Sequence, residues 1–283
     1  MAKVMGRTVW ITGASSGIGR ALAIELGQRG AKLILSGRKR AALDAVAAAV
    51  GEGALVLPFE ATDEAAASAA VAQALAAGGV DVLVNNAGVS QRSLILDTDP
   101  GVYRTLMEVD FFAPLMLTRA LLPHMIERGS GQIAIVASIA GKVGTPLRSG
   151  YCAAKHACVG FYEALRAEVE TAYGIEVCVI LPGSVRTEVA VNALSADGSA
   201  RGRSDANIAA GMAVGQAATI IADGLEAGAR EIVVADGFEA QALAMRGAAP
   251  DALFDVLAAE GKRLAEARAA AGADFDADPA QVR

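Results

Sequence analysis

Histidine and cysteine are scarce in this 283-residue chain, which has two of the first and three of the second. His124 and His156 form no HExxH or comparable pair, which argues against a metal hydrolase. Cys152, Cys158 and Cys178 show neither CxxC spacing nor an evident pairing, so neither a disulfide framework nor a zinc site is suggested. That usage fits a reducing compartment. Positive charge is also short, 25 Lys and Arg against 31 Asp and Glu, for a net charge of −6. Any groove for nucleic acid would have to form against that field, so no nucleic-acid partner is expected. No run of about 18 uncharged apolar residues appears, so no spanning segment is expected. The opening "MAKVMGR" lacks the apolar core of a secretory signal. The chain is therefore read as soluble and cytoplasmic, with no metal.

What the chain has in quantity is apolar surface: 54% hydrophobic residues against 20% charged, enough for a large core. Short β-rich runs alternate with longer Ala/Leu-rich segments. The expected strands are Thr8–Thr12, Lys32–Ser36, Ala54–Phe59, Asp81–Asn85, Gln132–Ala137, Glu176–Leu181 and Glu231–Ala235. Most are continuous apolar runs, as strands covered on both faces require. The expected helices are Gly17–Gln28, Arg40–Val50, Asp63–Ala77, Pro100–Glu127, Tyr151–Tyr173 and Val214–Ala227. In the first, Ile18, Leu22 and Leu26 make an inward stripe. This order predicts an α/β fold: a doubly wound, seven-stranded parallel sheet of Rossmann type with helices on both faces. No composition break marks a linker, so residues 1–283 are read as one domain, with a core over about 6–240 and a helical extension over about 238–272. Arg186–Gly211 is long, polar and irregular, as functional loops are.

The first strand runs into "TGASSGIGRALA". Gly13, Gly17 and Gly19 fall at a strand-to-helix turn, where glycine permits unusual φ and close approach of a ligand. The helix start beyond offers free N–H groups to a pyrophosphate. Gly13, Ser15, Ser16, Gly17, Ile18 and Gly19 are accordingly assigned to a dinucleotide; a plain tight turn would need fewer glycines. An NAD enzyme usually ends its second strand in a carboxylate. Here the text is "LILSGRKR", with Gly37 in that place, then Arg38, Lys39 and Arg40. A guanidinium binds a 2′-phosphate with charge-assisted, bidentate geometry. NADP(H) is therefore expected over NAD(H), with Arg38 the main contact and Ser36 or Lys39 helping. Solvated charges opening a helix are the plainer alternative. The fourth strand ends in "VNNAGVS", where Asn85, Asn86, Ala87 and Gly88 suit backbone lying close to the cofactor, or an Asx turn.

Ser138 closes the fifth strand, and Tyr151 opens a helix with Lys155 at i+4 on the same face. Strand C-termini form the ligand edge of such sheets, so these residues should share a rim with the dinucleotide. A free tyrosine is about 0.1% ionised at pH 7. A neighbouring ammonium and the nicotinamide charge favour tyrosinate, making Tyr151 a general acid for carbonyl reduction or a base for alcohol oxidation. Ser138 would hold the carbonyl oxygen, and Lys155 could also bind the ribose.

TGxxxGxG, NNAG, Ser and YxxxK in this order resemble the short-chain dehydrogenase/reductase family, over about residues 6–240. "PGSVRTEV" matches too: the resemblance puts Pro182, Gly183, Val185 and Thr187 around the nicotinamide carboxamide. "SIAGKVGTPLRSGYCAAKHA" and "VNALSADGS" look most like the subgroup of dehydrogenase/reductase member 7B, which implies NADPH-linked reduction of lipid-like or steroid-like carbonyls. The resemblance also implies a homodimer or homotetramer through the two long helices. Two departures stand out. The family's fourth catalytic residue, an asparagine, aligns with Asp110; an ionised Asp110 near Lys155 would partly cancel the cation. Activity is then expected to survive with a more alkaline optimum; a cofactor-binding scaffold with weak or no turnover is the alternative. Glu60 stands where an acid, usually aspartate, is expected near the adenine, and Asp63 reads as a helix cap. Gln91, Arg92, Ser93, Leu147 and the Arg186–Gly211 loop are expected as substrate walls.

Overall fold

The computed structural model describes residues 4–51, 53–272 and 275. The continuous apolar runs become β1 Thr8–Thr12, β2 Lys32–Gly37, β3 Leu55–Pro58, β4 Val82–Asn85, β5 Gly131–Val136, β6 Ile175–Pro182 and β7 Glu231–Val234. They form one parallel sheet in the order β3-β2-β1-β4-β5-β6-β7. β5 is buried at every position, which is why its sequence does not alternate. The chain winds outward from β1 to β3, then returns to lay β4 beside β1 on the other side. That reversal opens a crevice beyond the C-terminal ends of β1 and β4, the usual ligand edge of such sheets.

The helices are α1 Gly17–Gln28, α2 Arg40–Val50, α3 Glu64–Ala76, α4 Pro100–Met107, α5 Ala113–Arg128, α6 Ser149–Tyr173, α7 Ala206–Ala209, α8 Val214–Ala227, α9 Gly237–Ala248 and α10 Pro250–Ala271. Two apolar cores lie on opposite sheet faces. On one, Leu22, Leu26, Leu43 and Ile221 of α1, α2 and α8 meet Val9 and Ile11. On the other, Val71, Leu121, Val159 and Tyr162 of α3, α5 and α6 meet Trp10 and Leu83. Alternate β1 side chains thus enter opposite cores, as the two-residue period of a strand dictates.

The expected single helix over Pro100–Glu127 is interrupted. Residues Glu108–Phe112 form a π turn between α4 and α5. Pro114 has no N–H, so the Asp110 carbonyl lacks its i+4 donor, and the helix widens where that bond is missing. The Cys158 thiol of α6 donates to this carbonyl instead, at 2.9 Å. By length and composition the run Pro100–Arg128 is long and apolar enough to cross a membrane, as core helices of globular proteins also are; Arg104, Glu108, Asp110 and Arg119 break it, so it holds no uncharged stretch of about 18 residues. In this fold α4 packs on α6, and α5 packs on α3 and β5. Past β7, α9 and α10 pack on each other. Arg268 of α10 binds both carboxylate oxygens of Asp97, on the segment after β4.

Candidate active site

The turns after β1 and β4 are interlocked. Thr12 Oγ1 accepts from the backbone N–H groups of Asn86 (3.0 Å) and Ala87 (3.1 Å). Asn86 Nδ2 donates back to the carbonyls of Thr12 (2.9 Å) and Gly13 (3.3 Å). Gly13 has φ +64°, and a Cβ there would lie 2.8 Å from Ala87 Cα. A Cβ on Gly19 would collide with Asn86 Nδ2 and the Gly13 carbonyl. These two glycines therefore serve the contact between turns. Ser16 precedes α1 in extended conformation with no side-chain cap bond, so the first amides of α1 remain open toward the crevice. Ser16, Gly17, Arg20, Arg186 and Thr187 line a cleft of about 520 Å³ there. Uncapped helix amides beside an open cleft fit the pyrophosphate of a dinucleotide. Ile18 is half-buried and packs on the apolar core, and Ser15 lies beside Gly37.

At the end of β2, Ser36 is buried and its Oγ accepts from Trp10 Nε1 at 2.8 Å, so its hydroxyl is committed to the core. Arg38 is exposed and 3.8 Å from Glu60; Lys39, also exposed, precedes α2. Asp63 caps α3, accepting from Ala66 N at 3.0 Å. Asn85 turns inward: its Nδ2 donates to Thr118 Oγ1 and Tyr162 Oη, both at 3.0 Å.

Ser138 lies two residues past β5 and starts a single 3₁₀ turn over Ile139–Gly141. Its Oγ accepts from Ala140 N (3.1 Å) and donates to the Pro182 carbonyl (3.2 Å), tying the ends of β5 and β6 together. Tyr151 and Lys155 lie on the first turns of α6. Lys155 Nζ sits 5.6 Å from the Tyr151 ring centroid, donates to the Val136 carbonyl at 3.1 Å and lies 3.5 Å from Asp110 Oδ1. Asp110 is wholly buried; its Oδ1 accepts from Val89 N at 3.0 Å, while Oδ2 has no hydrogen-bond partner among the described residues. A Cβ on Gly88 would collide with Asp110 Oδ1, so this glycine admits the carboxylate.

Burial pushes the Asp110 carboxyl above the ordinary carboxylate range, against the pull of Lys155. Burial alone would lower Lys155, but facing Asp110, and next Tyr151, it is held above the ordinary lysine value. Burial penalises both charges, and each also feels its partner. At the lysine the partner prevails, because a backbone carbonyl and a carboxylate both face Nζ. Lys155 is therefore the fixed cation of the site.

Beyond β6, Ser184 N and Oγ donate to Glu239 of α9 at 2.8 and 2.6 Å, and Val185 is buried, with Met212 paired beside it. Gly183 N donates to Val234 O at 3.0 Å. Glu239 and Thr12 had no signal in the sequence, because each acts through a contact between distant turns. Gln91 and Leu147 are buried beneath the rim, so they support the site where an exposed substrate wall was expected. Arg92 and Ser93 instead border a second cleft of about 640 Å³, together with Asp97, Arg203 and Arg268. His156 Nδ1 meets the Cys152 carbonyl at 2.8 Å; His124 lies 3.5 Å from Arg128.

A crevice at the sheet reversal, open helix amides and a Ser/Tyr/Lys set on one rim define a dinucleotide-dependent oxidoreductase class. A family model described as short chain dehydrogenase matches residues 7–197, and the chain belongs to that family. It is 44% identical over 216 residues to mouse dehydrogenase/reductase SDR family member 7B, covering 74% of this chain and 67% of the relative. A short chain dehydrogenase from Burkholderia cenocepacia, solved with NADP, superposes at TM-score 0.75 and 27% identity, over 90% of this chain and 98% of that one. One from Burkholderia phymatum, solved with NAD, matches in fold at TM-score 0.74 and 24% identity, over 82% and 90%.

Proposed function

We propose that this chain is an NADP(H)-dependent oxidoreductase acting between a carbonyl and a secondary alcohol, with Tyr151 as general acid/base. The observation that carries the reading is Lys155 Nζ, 5.6 Å from the Tyr151 ring centroid, on the rim that Ser138 shares. A bound nicotinamide supplies the hydride chemistry. Tyr151 Oη gives its proton to the carbonyl oxygen in reduction and takes one from the alcohol in oxidation. Lys155 stabilises the negative charge left on that oxygen. Ser138 Oγ, turned from the Pro182 carbonyl, would hold the substrate oxygen.

The α1 amides with Ser16 and Gly17 would hold the pyrophosphate, and the turns containing Asn86 and Gly183 would lie along the rest of the cofactor. Arg38 supports the phosphorylated form: it is exposed at the end of β2, with the Glu60 carboxylate 3.8 Å away. A lipid-like or steroid-like carbonyl suits the exposed Ile95 and Leu96 beyond β4. A homodimer or homotetramer follows from the same reading, supported by exposed Phe112 beside Phe111, which in turn packs on Phe161. So does a cytoplasmic location, which three free, buried cysteines suit.

The test is NADPH oxidation against ketosteroids, acyl-dihydroxyacetone phosphates, quinones and simple aldehydes, repeated with NADH. Turnover with NADPH that Tyr151→Phe abolishes is the expected result. Asp110 beside Lys155 favours a second reading, a nucleotide-binding scaffold. NADPH binding without reduction of any of these classes would select it.

A further inference from the structure

Gln91 is wholly buried, yet its side chain is among the most engaged polar groups in the molecule. Its Oε1 accepts from Gly150 N at 2.8 Å and from Tyr151 N at 3.3 Å. Those are amides of the first turn of α6, which a helix cannot bond internally. The residue that precedes α6, Arg148, makes no side-chain cap bond to them. At its other end, Gln91 Nε2 donates to Ser93 Oγ (3.1 Å) and Thr98 Oγ1 (3.2 Å), and those hydroxyls bond each other at 2.7 Å. The amide is thus clamped at both ends and cannot swing away from the helix.

The start of α6 is constrained from the same segment a second time. Ser93 N donates to the Leu147 carbonyl at 3.0 Å. Leu147 has φ +66°, a left-handed conformation that no other non-glycine shows among the described residues. A Cβ on Gly150 would lie 2.7 Å from Tyr103 Cδ1 and 3.1 Å from Gln91 Oε1, so the close seating of the helix needs glycine there. A segment 59 residues upstream therefore supplies what a local Ser, Thr or Asp supplies at an ordinary helix start.

We infer that Gln91 is a positioning residue for Tyr151: its amide oxygen replaces the missing cap of α6 and holds the proton-donating phenol at its place on the rim. It touches no reacting atom and acts through the backbone of the tyrosine itself. The inference rests on Tyr151 being the proton donor. Displacing a reacting group by about 1 Å can cost about 100-fold in rate, so the effect should fall on kcat.

The experiment compares Gln91→Met, which keeps the volume but loses the acceptor, with Gln91→Glu, which keeps an acceptor toward both amides. Chains labelled with 3-fluorotyrosine carry four tyrosines, and Tyr151→Phe identifies the ¹⁹F signal of Tyr151. In Gln91→Met that signal should shift or split while those of Tyr162 and Tyr173 hold, and in Gln91→Glu it should return toward the parent position. With any carbonyl the parent reduces, Gln91→Met should lower kcat about 10- to 100-fold. KM and the NADPH Kd should stay within about twofold, and Gln91→Glu should recover part of the loss. A Tyr151 signal unmoved in Gln91→Met overturns the inference, as does a moved signal with unchanged kcat. If the parent reduces no carbonyl, the oxidoreductase reading fails while the ¹⁹F spectra still report whether Gln91 positions Tyr151.

Discussion

Asp110 and Lys155 share a site from which water is excluded, so the charge of one sets the behaviour of the other. Lys155 is held above its ordinary value and keeps its charge through neutral pH and beyond. Asp110 is pushed up by burial, against the pull of Lys155. The sign follows: its contribution to stability is largest at acid pH and declines as pH climbs from about 4 through its folded value. Asp110→Asn should flatten that decline in urea midpoints measured across pH. In alcohol oxidation the same variant should move the alkaline rise of the rate to lower pH. A profile that overlies the parent would show that Asp110 does not temper the lysine. Tyr151→Phe should lower kcat by about 10²- to 10⁴-fold with NADPH binding retained, as fluorescence titration would report. Arg38→Ala should weaken NADPH by about 10- to 100-fold and leave NADH unchanged, the difference being one charged hydrogen-bonded contact. Equal losses for both cofactors would remove Arg38 from phosphate recognition.

At the scale of elements, the π turn between α4 and α5 places Asp110. Pro114 removes one amide, and Cys158 restores a donor to the stranded carbonyl. Burial pushes that thiol up to about 11, with Lys155 pulling the other way, so it remains a protonated donor at neutral pH. Cys158→Ala should cost about 1–3 kcal/mol in chemical denaturation, since it leaves a buried carbonyl unpaired. Cys158→Ser, which keeps a donor, should cost less. Pro114 was plain in the sequence, but its consequence was not: a proline near a helix start is ordinarily harmless. Only the presence of a helix before it makes its missing N–H matter.

Across the whole molecule, the long loop after β6 is fastened to the segment after β4 by charge. Arg92 Nε lies 2.7 Å from Asp205 Oδ2, in a nearly fully buried pair. Burial, then Arg148, lower Arg92 to about 10. Burial would raise Asp205, but Arg92 and the amide of Ile208 bring it below its ordinary value. A depressed carboxylate adds stability that is present above about pH 3.9 and lost as pH falls through the folded value. Asp205→Asn should therefore remove part of the acid-side loss. At neutral pH it should cost about 3–5 kcal/mol, because Arg92 is left buried without its partner. Thermal melts across pH would check both.

The strand and helix order, the glycine turn, NNAG and the Ser/Tyr/Lys set were legible in the chain because each is local. Hydrophobic period and turn chemistry act over a few residues and leave their pattern in the text. Tertiary structure alone decided which of those residues face a ligand. It turned Ser36 and Asn85 into the core, where Trp10, Thr118 and Tyr162 meet them. It set Gln91 under α6 and Glu239 against Ser184. Those pairings join turns far apart in sequence, and a buried amide or carboxylate reveals its partner only when packing has removed the competing water.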